Sequence, residues 1–230
     1  MFSKPENGKM YWKELMHQCS EIGFGSLGIV AIISFFIGAV SALQTAYQLV
    51  SPVIPKSTIA QIVRDTVILE FAPTLVCIVL AGVVGSKIAS ELGNMRVSEQ
   101  IDALEIMGIN TKTYLVLPKI LAAMIMIPLL VVVSMALGIY GGRVAGTASG
   151  IIAANVYDKG LNQNFVPYNV FFALVKSYTF AFLISSIPAY FGYYVVGGSL
   201  EIGRASTKAV VVSCVAILCA DYILTAVLLQ

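Results

Sequence analysis

The sequence predicts an all-α membrane protein: an N-terminal interfacial helix, five transmembrane helices, and a short cytoplasmic helix between the second and third spans. Three observations carry this reading. Of 230 residues, 58% are hydrophobic and only 11% are charged, with a mean hydropathy of +0.89. Soluble domains carry roughly 25% charged residues, so the chain lacks the side chains that wet a globular surface. The few charges are also unevenly placed, leaving long uncharged stretches, and the Lys and Arg residues fall mainly on one side of those stretches. A water-soluble enzyme is disfavoured. So is a nucleic-acid binder, because 14 Lys and Arg against 12 Asp and Glu leave a net charge of only +2. The length allows one or two domains, and residues 1–230 read as one integral membrane domain.

Lys4, Lys9 and Lys13 precede the first apolar run, as in a signal peptide, but Glu14 and Glu21 intervene and the run is too long for an h-region. Residues 1–21 are instead expected to lie in the membrane interface, with Met10 to Glu21 helical and Trp12, Leu15, Met16 and Cys19 facing lipid. A bilayer span needs about 20 apolar residues. Ile22 to Pro55, Phe71 to Ser86, Ile120 to Gly142 and Ser177 to Leu200 are uncharged, and Ala209 to Gln230 carries only Asp221. The predicted spans are 22–50, 62–90, 114–140, 169–197 and 207–229. The first run exceeds one span, so a turn is expected near Pro52 and Pro55.

Between the second and third spans, Glu91 to Gly108 reads ELGNMRVSEQIDALEIMG, a charged stretch in a chain that otherwise avoids charge. Ser98 suits an N-cap, Glu99 and Asp102 the positive start of a helix, and Gly108 the position after its end. Val97, Ile101 and Leu104 share a face at i, i+4 and i+7, giving an amphipathic helix of about nine residues. Four acids against Arg96 make it a poor fit to an anionic leaflet, so docking in a partner's groove is preferred over floating on headgroups.

With the N-terminus in the cytoplasm, Lys4, Lys9, Lys13, Lys87, Arg96, Lys112, Lys119, Arg204 and Lys208 lie inside. Lys56, Arg64, Arg143 and Lys159 then lie outside, and five spans leave the C-terminus on the far side as well. Three charges fall within spans: Glu70, Lys176 and Asp221. Each sits about 10–15 Å deep in the outer half, so Lys176 is expected to pair with Glu70, Asp221 or both, either structurally or around a transport path. Gln44, Tyr47 and Gln48 share a face of the first span and should face protein or a cavity rather than lipid.

Gly138, Gly142, Gly146 and Gly150, and Ala81, Gly85 and Ala89, recur every four residues and predict close helix packing. The outer connection from Arg143 to Tyr168, with Asp158, Lys159, Asn162, Gln163 and Asn164, reads as a water-compatible loop or a partner contact. Cys19, Cys77, Cys214 and Cys219 have no metal-ligand spacing and read as buried free thiols, so no metal or cofactor is expected.

The runs Glu70 to Pro73, Ala81 to Ser86, Ala89 to Gly108 and Tyr114 to Ala122 closely resemble the signature of MlaE-type permeases, the membrane subunits of lipid-transporting ABC systems. Gly38, Leu43, Gln44, Lys176-Ser177 and Asp221 to Thr225 resemble their counterparts, so the likeness covers nearly the whole chain. Leu69 and Val83 stand where family members often carry Arg. The resemblance implies a homodimer that works with a cytoplasmic ABC ATPase and an MCE-domain lipid-binding protein, and carries phospholipid. It implies that 91–108 couples to the ATPase, with Glu91, Arg96, Glu99, Gln100, Asp102, Leu104 and Glu105 as coupling residues. It also implies that Leu43, Gln44, Tyr47 and Gln48 line the lipid path.

The sequence contains no G-x-x-x-x-G-K-[ST] phosphate loop, so ATP hydrolysis is expected in another subunit. The alternative is an ion-coupled secondary transporter using Glu70, Lys176 and Asp221 as a proton relay, which would not need the docking segment. An intramembrane enzyme is disfavoured because the one histidine, His17, lies in the N-terminal segment, away in sequence from every intramembrane carboxylate.

Overall fold

A computed structural model describes residues 8–49 and 55–228, with side chains described from Tyr11. Pro52 and residues 1–7 of the expected interfacial segment lie outside the described residues. The described residues form helices joined by short connections, with no strand among them, as the composition predicts. Its helices are α1 (Gly8–Gln48), α2 (Ser57–Val97), α3 (Gln100–Ile106), α4 (Lys112–Ala148), α5 (Ala154–Asn162), α6 (Pro167–Tyr193) and α7 (Ser199–Leu228). The five longest are apolar and long enough to cross a membrane.

The interfacial helix and the first span are one element rather than two. α1 runs unbroken for 41 residues, about 60 Å at 1.5 Å per residue and twice the hydrocarbon thickness of about 30 Å. Nothing between Glu21 and Ile22 can end a helix: no proline intervenes, and Gly23 packs so closely on the Met126 side chain that a Cβ there would overlap it. Trp12 and Met16 are exposed as expected, but Cys19 is buried, so the outward face is narrower than predicted. Cys77 is buried, whereas Cys219 on α7 is exposed, which corrects the expectation of four buried thiols.

α2 begins earlier and ends later than the predicted 62–90 span, and it is not regular. Two π-helical stretches, Val67–Leu75 and Ala81–Gly85, interrupt its α-helical geometry. The first contains Pro73, which cannot donate a backbone N–H and whose ring would crowd the Leu69 carbonyl in a tight α-turn. Widening the turn relieves that crowding. The second lies in the glycine-rich run, where small side chains resist distortion least.

The connection between α4 and α6, expected outside, is not a plain loop, because α5 forms inside it. Tyr157 and Gly160 are the inward positions of α5, with Tyr157 fully buried. Burial raises the Tyr157 phenol to about 12. The hydroxyl donates to the Ile139 carbonyl at 3.3 Å. A short helix with two buried positions has too few apolar residues to register as periodic in the sequence.

The chain divides into two compact units. One contains residues 8–26, 77–128 and 178–228; within it Gly93 lies against Ile202, Gly192 against the Ala89 backbone and Gly85 against Pro188. Ala89 and Gly85 of the predicted small-residue stripe therefore do serve helix packing. The other contains residues 27–49, 55–76 and 129–177. There Gly38 meets the Gly138 carbonyl, Gly141 meets the Phe35 carbonyl, and Gly142 lies against the Tyr157 hydroxyl and Val63. The Ser34 hydroxyl donates to the Val30 carbonyl at 2.6 Å and bonds the Ser134 hydroxyl at 2.8 Å. The stripe fades at Gly146, whose neighbours are at ordinary contact distance, and Gly150 is a left-handed turn residue past the end of α4.

Candidate functional site

Glu70 and Lys176 meet in the second unit. Lys176, on α6, is completely buried, and its Nζ lies 2.8 Å from Oε1 of Glu70 on the π-helical stretch of α2. The same Nζ donates to the Leu69 carbonyl at 3.3 Å. In the π-helical stretch the lysine thus reaches the backbone as well as the carboxylate of α2. The Thr74 hydroxyl donates to Oε2 of Glu70 at 3.3 Å. The ammonium also lies 4.7 Å from the centroid of Phe172. A buried lysine is thereby held by a carboxylate, a carbonyl and a ring. Asp221, the third residue of the expected cluster, is half-buried on α7 in the other unit.

The polar face of the first span is outward. Leu43, Gln44, Tyr47 and Gln48 are all exposed, Tyr47 by 83%. The expectation that they face protein or a cavity therefore fails within this chain. A period of 3.6 identifies which residues share a face, but not whether the neighbour covering that face belongs to the same chain.

The segment after α2 also departs from its reading. Ser98 does not cap α3; its hydroxyl donates backward to the Asn94 carbonyl at 2.7 Å, closing α2. Glu99 follows in the left-handed region at φ 60°, and α3 spans only seven residues. Val97 belongs to α2, so the predicted apolar stripe is split; Ile101 alone is fully buried and Leu104 is half-buried. Gly108 takes a positive φ of 81° past the end of α3, as expected.

The acidic residues of this segment divide into two groups. Glu91 pairs with buried Lys119 at 2.6 Å, and Arg96 pairs with Asp102 at 2.5 Å. Oε1 of Glu105 accepts from Tyr193 at 2.8 Å and Thr111 at 3.1 Å. These hydroxyls, Tyr193 first, hold the Glu105 carboxyl below the usual carboxylate range. Glu91, Arg96, Asp102 and Glu105 thus anchor the segment to its own chain. Glu99 and Gln100 remain exposed beside Ile106 and Met107, which are 87% and 66% exposed. Sequence reasoning missed this apolar tip, although two adjacent large apolar residues at the end of an acidic helix were a visible signal.

At the other end of the second unit, Arg64 is nearly buried and donates to the carbonyls of Leu161, Gln163 and Asn164 while pairing with Asp65 at 2.9 Å. Arg143 and Asp158 form a two-pronged pair at 2.8 and 2.9 Å. The arginine hydrogen bonds hold the Asp158 carboxyl below its ordinary range. Both arginines expected on the outer side thus fasten α5 and the segment after it. Among the described residues no cluster of His, Cys, Asp and Glu could hold a metal ion.

Five long apolar helices, an ion pair on a buried lysine within them and a short, self-anchored helix with an exposed apolar tip define a polytopic all-α membrane protein. The chain belongs to the MlaE permease family: the model of that family, described as Permease MlaE, matches residues 15–227. A probable ABC transporter permease protein of Rickettsia bellii (strain RML369-C) is 40% identical over 216 residues, 94% of this chain and 83% of the relative. The chloroplastic protein TRIGALACTOSYLDIACYLGLYCEROL 1 of Arabidopsis thaliana is 30% identical over 223 residues, 97% of this chain and 63% of the relative. The intermembrane phospholipid transport system permease protein MlaE of Haemophilus influenzae is 28% identical over 229 residues, 99% of this chain and 87% of the relative.

Proposed function

We propose that this chain is the membrane subunit of an ABC transporter that moves phospholipid between the inner membrane and an MCE-domain partner, driven by a separate ATPase. Membership of the MlaE permease family supports the transporter class, and the name of the Haemophilus influenzae relative supports phospholipid as cargo. The observation that carries the coupling is the tip of α3. Ile106 and Met107 project 87% and 66% exposed from a helix otherwise tied down by Arg96–Asp102 and Glu105–Tyr193. An apolar tip on a rigid base suits insertion into a partner's groove, and Glu99 and Gln100 beside it suit the polar rim of such an interface.

The orientation follows from the basic residues, with α3 and the N-terminus cytoplasmic and the C-terminus periplasmic. Exposed Leu43, Gln44, Tyr47 and Gln48 are assigned to a lipid path enclosed when a second copy joins the first, since uncovered glutamines in hydrocarbon are costly. The Glu70–Lys176 pair fastens α2 to α6 beside that path. Purification of the chain from native membranes, followed by identification of bound subunits and lipids, tests the reading. An ATPase and phospholipid should accompany the unaltered chain, and Ile106→Asp should lose the ATPase while keeping the lipid. Recovery of the unaltered chain with neither would overturn it.

A further inference from the structure

Beside the α3 anchor, a groove of about 250 Å³ opens between the first two turns of α4 and the last two of α6. Its inner wall is apolar: Val116, Ile120 and Ala189 are all buried. Its outer rim is aromatic and cationic. The Tyr190 and Tyr194 rings meet at a tilt with centroids 5.1 Å apart and Tyr193 and Tyr194 meet edge to face at 5.0 Å, while Lys112 Nζ lies 5.8 and 5.7 Å from the Tyr193 and Tyr194 centroids. Among the described residues no carboxylate lies within salt-bridge distance of Lys112; the Tyr194 side chain hydrogen-bonds its ammonium and Glu105 attracts it from farther away.

Lys112 opens one apolar helix and Tyr193 closes another, so the rim lies at the level where hydrocarbon gives way to headgroups. Lysine and tyrosine are the side chains that settle at that level. A cation held by a tyrosine but in no direct salt bridge, above an apolar slot, complements a lipid that has a negative headgroup and an acyl chain. The slot is below the ~300 Å³ of ordinary small-molecule pockets, which suits part of one chain rather than a whole solute.

We infer that this groove binds an anionic phospholipid, with its phosphate on Lys112 and one acyl chain along Val116, Ile120 and Ala189, and that occupancy is felt at α3 through Tyr193. Tyr193 is the link because it presents its ring to Lys112 and its hydroxyl to Glu105 at 2.8 Å. This site uses none of the residues assigned to the transport path proposed above, which are on α1 and in the Glu70–Lys176 pair. It stands whether or not that reading holds.

The test is native mass spectrometry of the detergent-purified full chain titrated with phosphatidylglycerol or phosphatidylcholine, together with hydrogen exchange over residues 100–107. The unaltered chain should prefer phosphatidylglycerol. Lys112→Ala should reduce that preference about fivefold, the attraction of one interfacial cation, and Lys112→Arg should keep it. Ser186→Trp, which fills the slot from its rim, should lower binding of both lipids, and free glycerol phosphate should not compete. Phosphatidylglycerol should slow exchange in α3 of the unaltered chain but not of Tyr193→Phe. Equal binding of the two lipids by the unaltered chain, or an undiminished preference in Lys112→Ala, would overturn the site. Unchanged exchange in α3 on binding would overturn the link to Tyr193.

Discussion

Lys176 is fully buried, and its ammonium lies 2.8 Å from the Glu70 carboxylate while also donating to the Leu69 carbonyl. One side chain of α6 thus bonds both the carboxylate and the backbone of the π-helical stretch of α2.

The pair is expected to behave as a unit. Glu70→Lys sets two ammonium groups against each other and should cost about 2 kcal/mol or more, below the ~3–5 kcal/mol of a fully buried pair because Glu70 is 40% exposed. Combining it with Lys176→Glu should recover part of the loss in thermal stability measured in detergent. A double variant no better than either single change would refute direct pairing.

Glycine substitutions should separate packing from propensity. A methyl group at Gly38 would run into the Gly138 backbone, whereas one at Gly28 meets nothing within 4 Å. Gly38→Ala should destabilise by about 1–3 kcal/mol, and Gly28→Ala should be neutral or stabilise by up to ~1 kcal/mol, read from melting temperatures.

Glu105 predicts an acid-sensitive α3. Its carboxyl is held below the ordinary 4.5 by hydrogen bonds from Tyr193 and Thr111, so this contribution to stability is present above pH 4.5 and disappears as pH falls through the lowered value. Hydrogen exchange between pH 6 and about 3 should show α3 of the unaltered chain protected to lower pH than α3 of Tyr193→Phe. Identical pH profiles in the two proteins would count against the anchor.

Arg64 should not tolerate lysine. Its guanidinium reaches three carbonyls and Asp65 at once, a fan of donors that one ammonium cannot reproduce. Arg64→Lys should loosen the segment around 161–164 by about 1–3 kcal/mol, detectable as earlier proteolysis there.

Much of this architecture is legible in the sequence because hydrocarbon imposes a strong local rule: about 20 apolar residues with every backbone group bonded within its own helix. Uncharged runs therefore located the five long helices, and charges too costly to bury alone pointed to Glu70, Asp221 or both as partners of Lys176, between which the sequence did not choose. Only packing could decide the remainder. The Gly38–Gly138 and Gly85–Pro188 contacts depend on residues far apart in sequence, as does the tie from Glu105 to Tyr193. The same holds for α5, whose fastening by Arg64 and Arg143 no periodicity announces. Propensity and hydropathy act over one or two turns, whereas the direction a side chain finally faces is set by whichever distant surface covers it. For that reason Gln44 and Tyr47 could be assigned to one face from spacing alone, while their exposure, like that of Ile106 and Met107, emerged only from the folded chain.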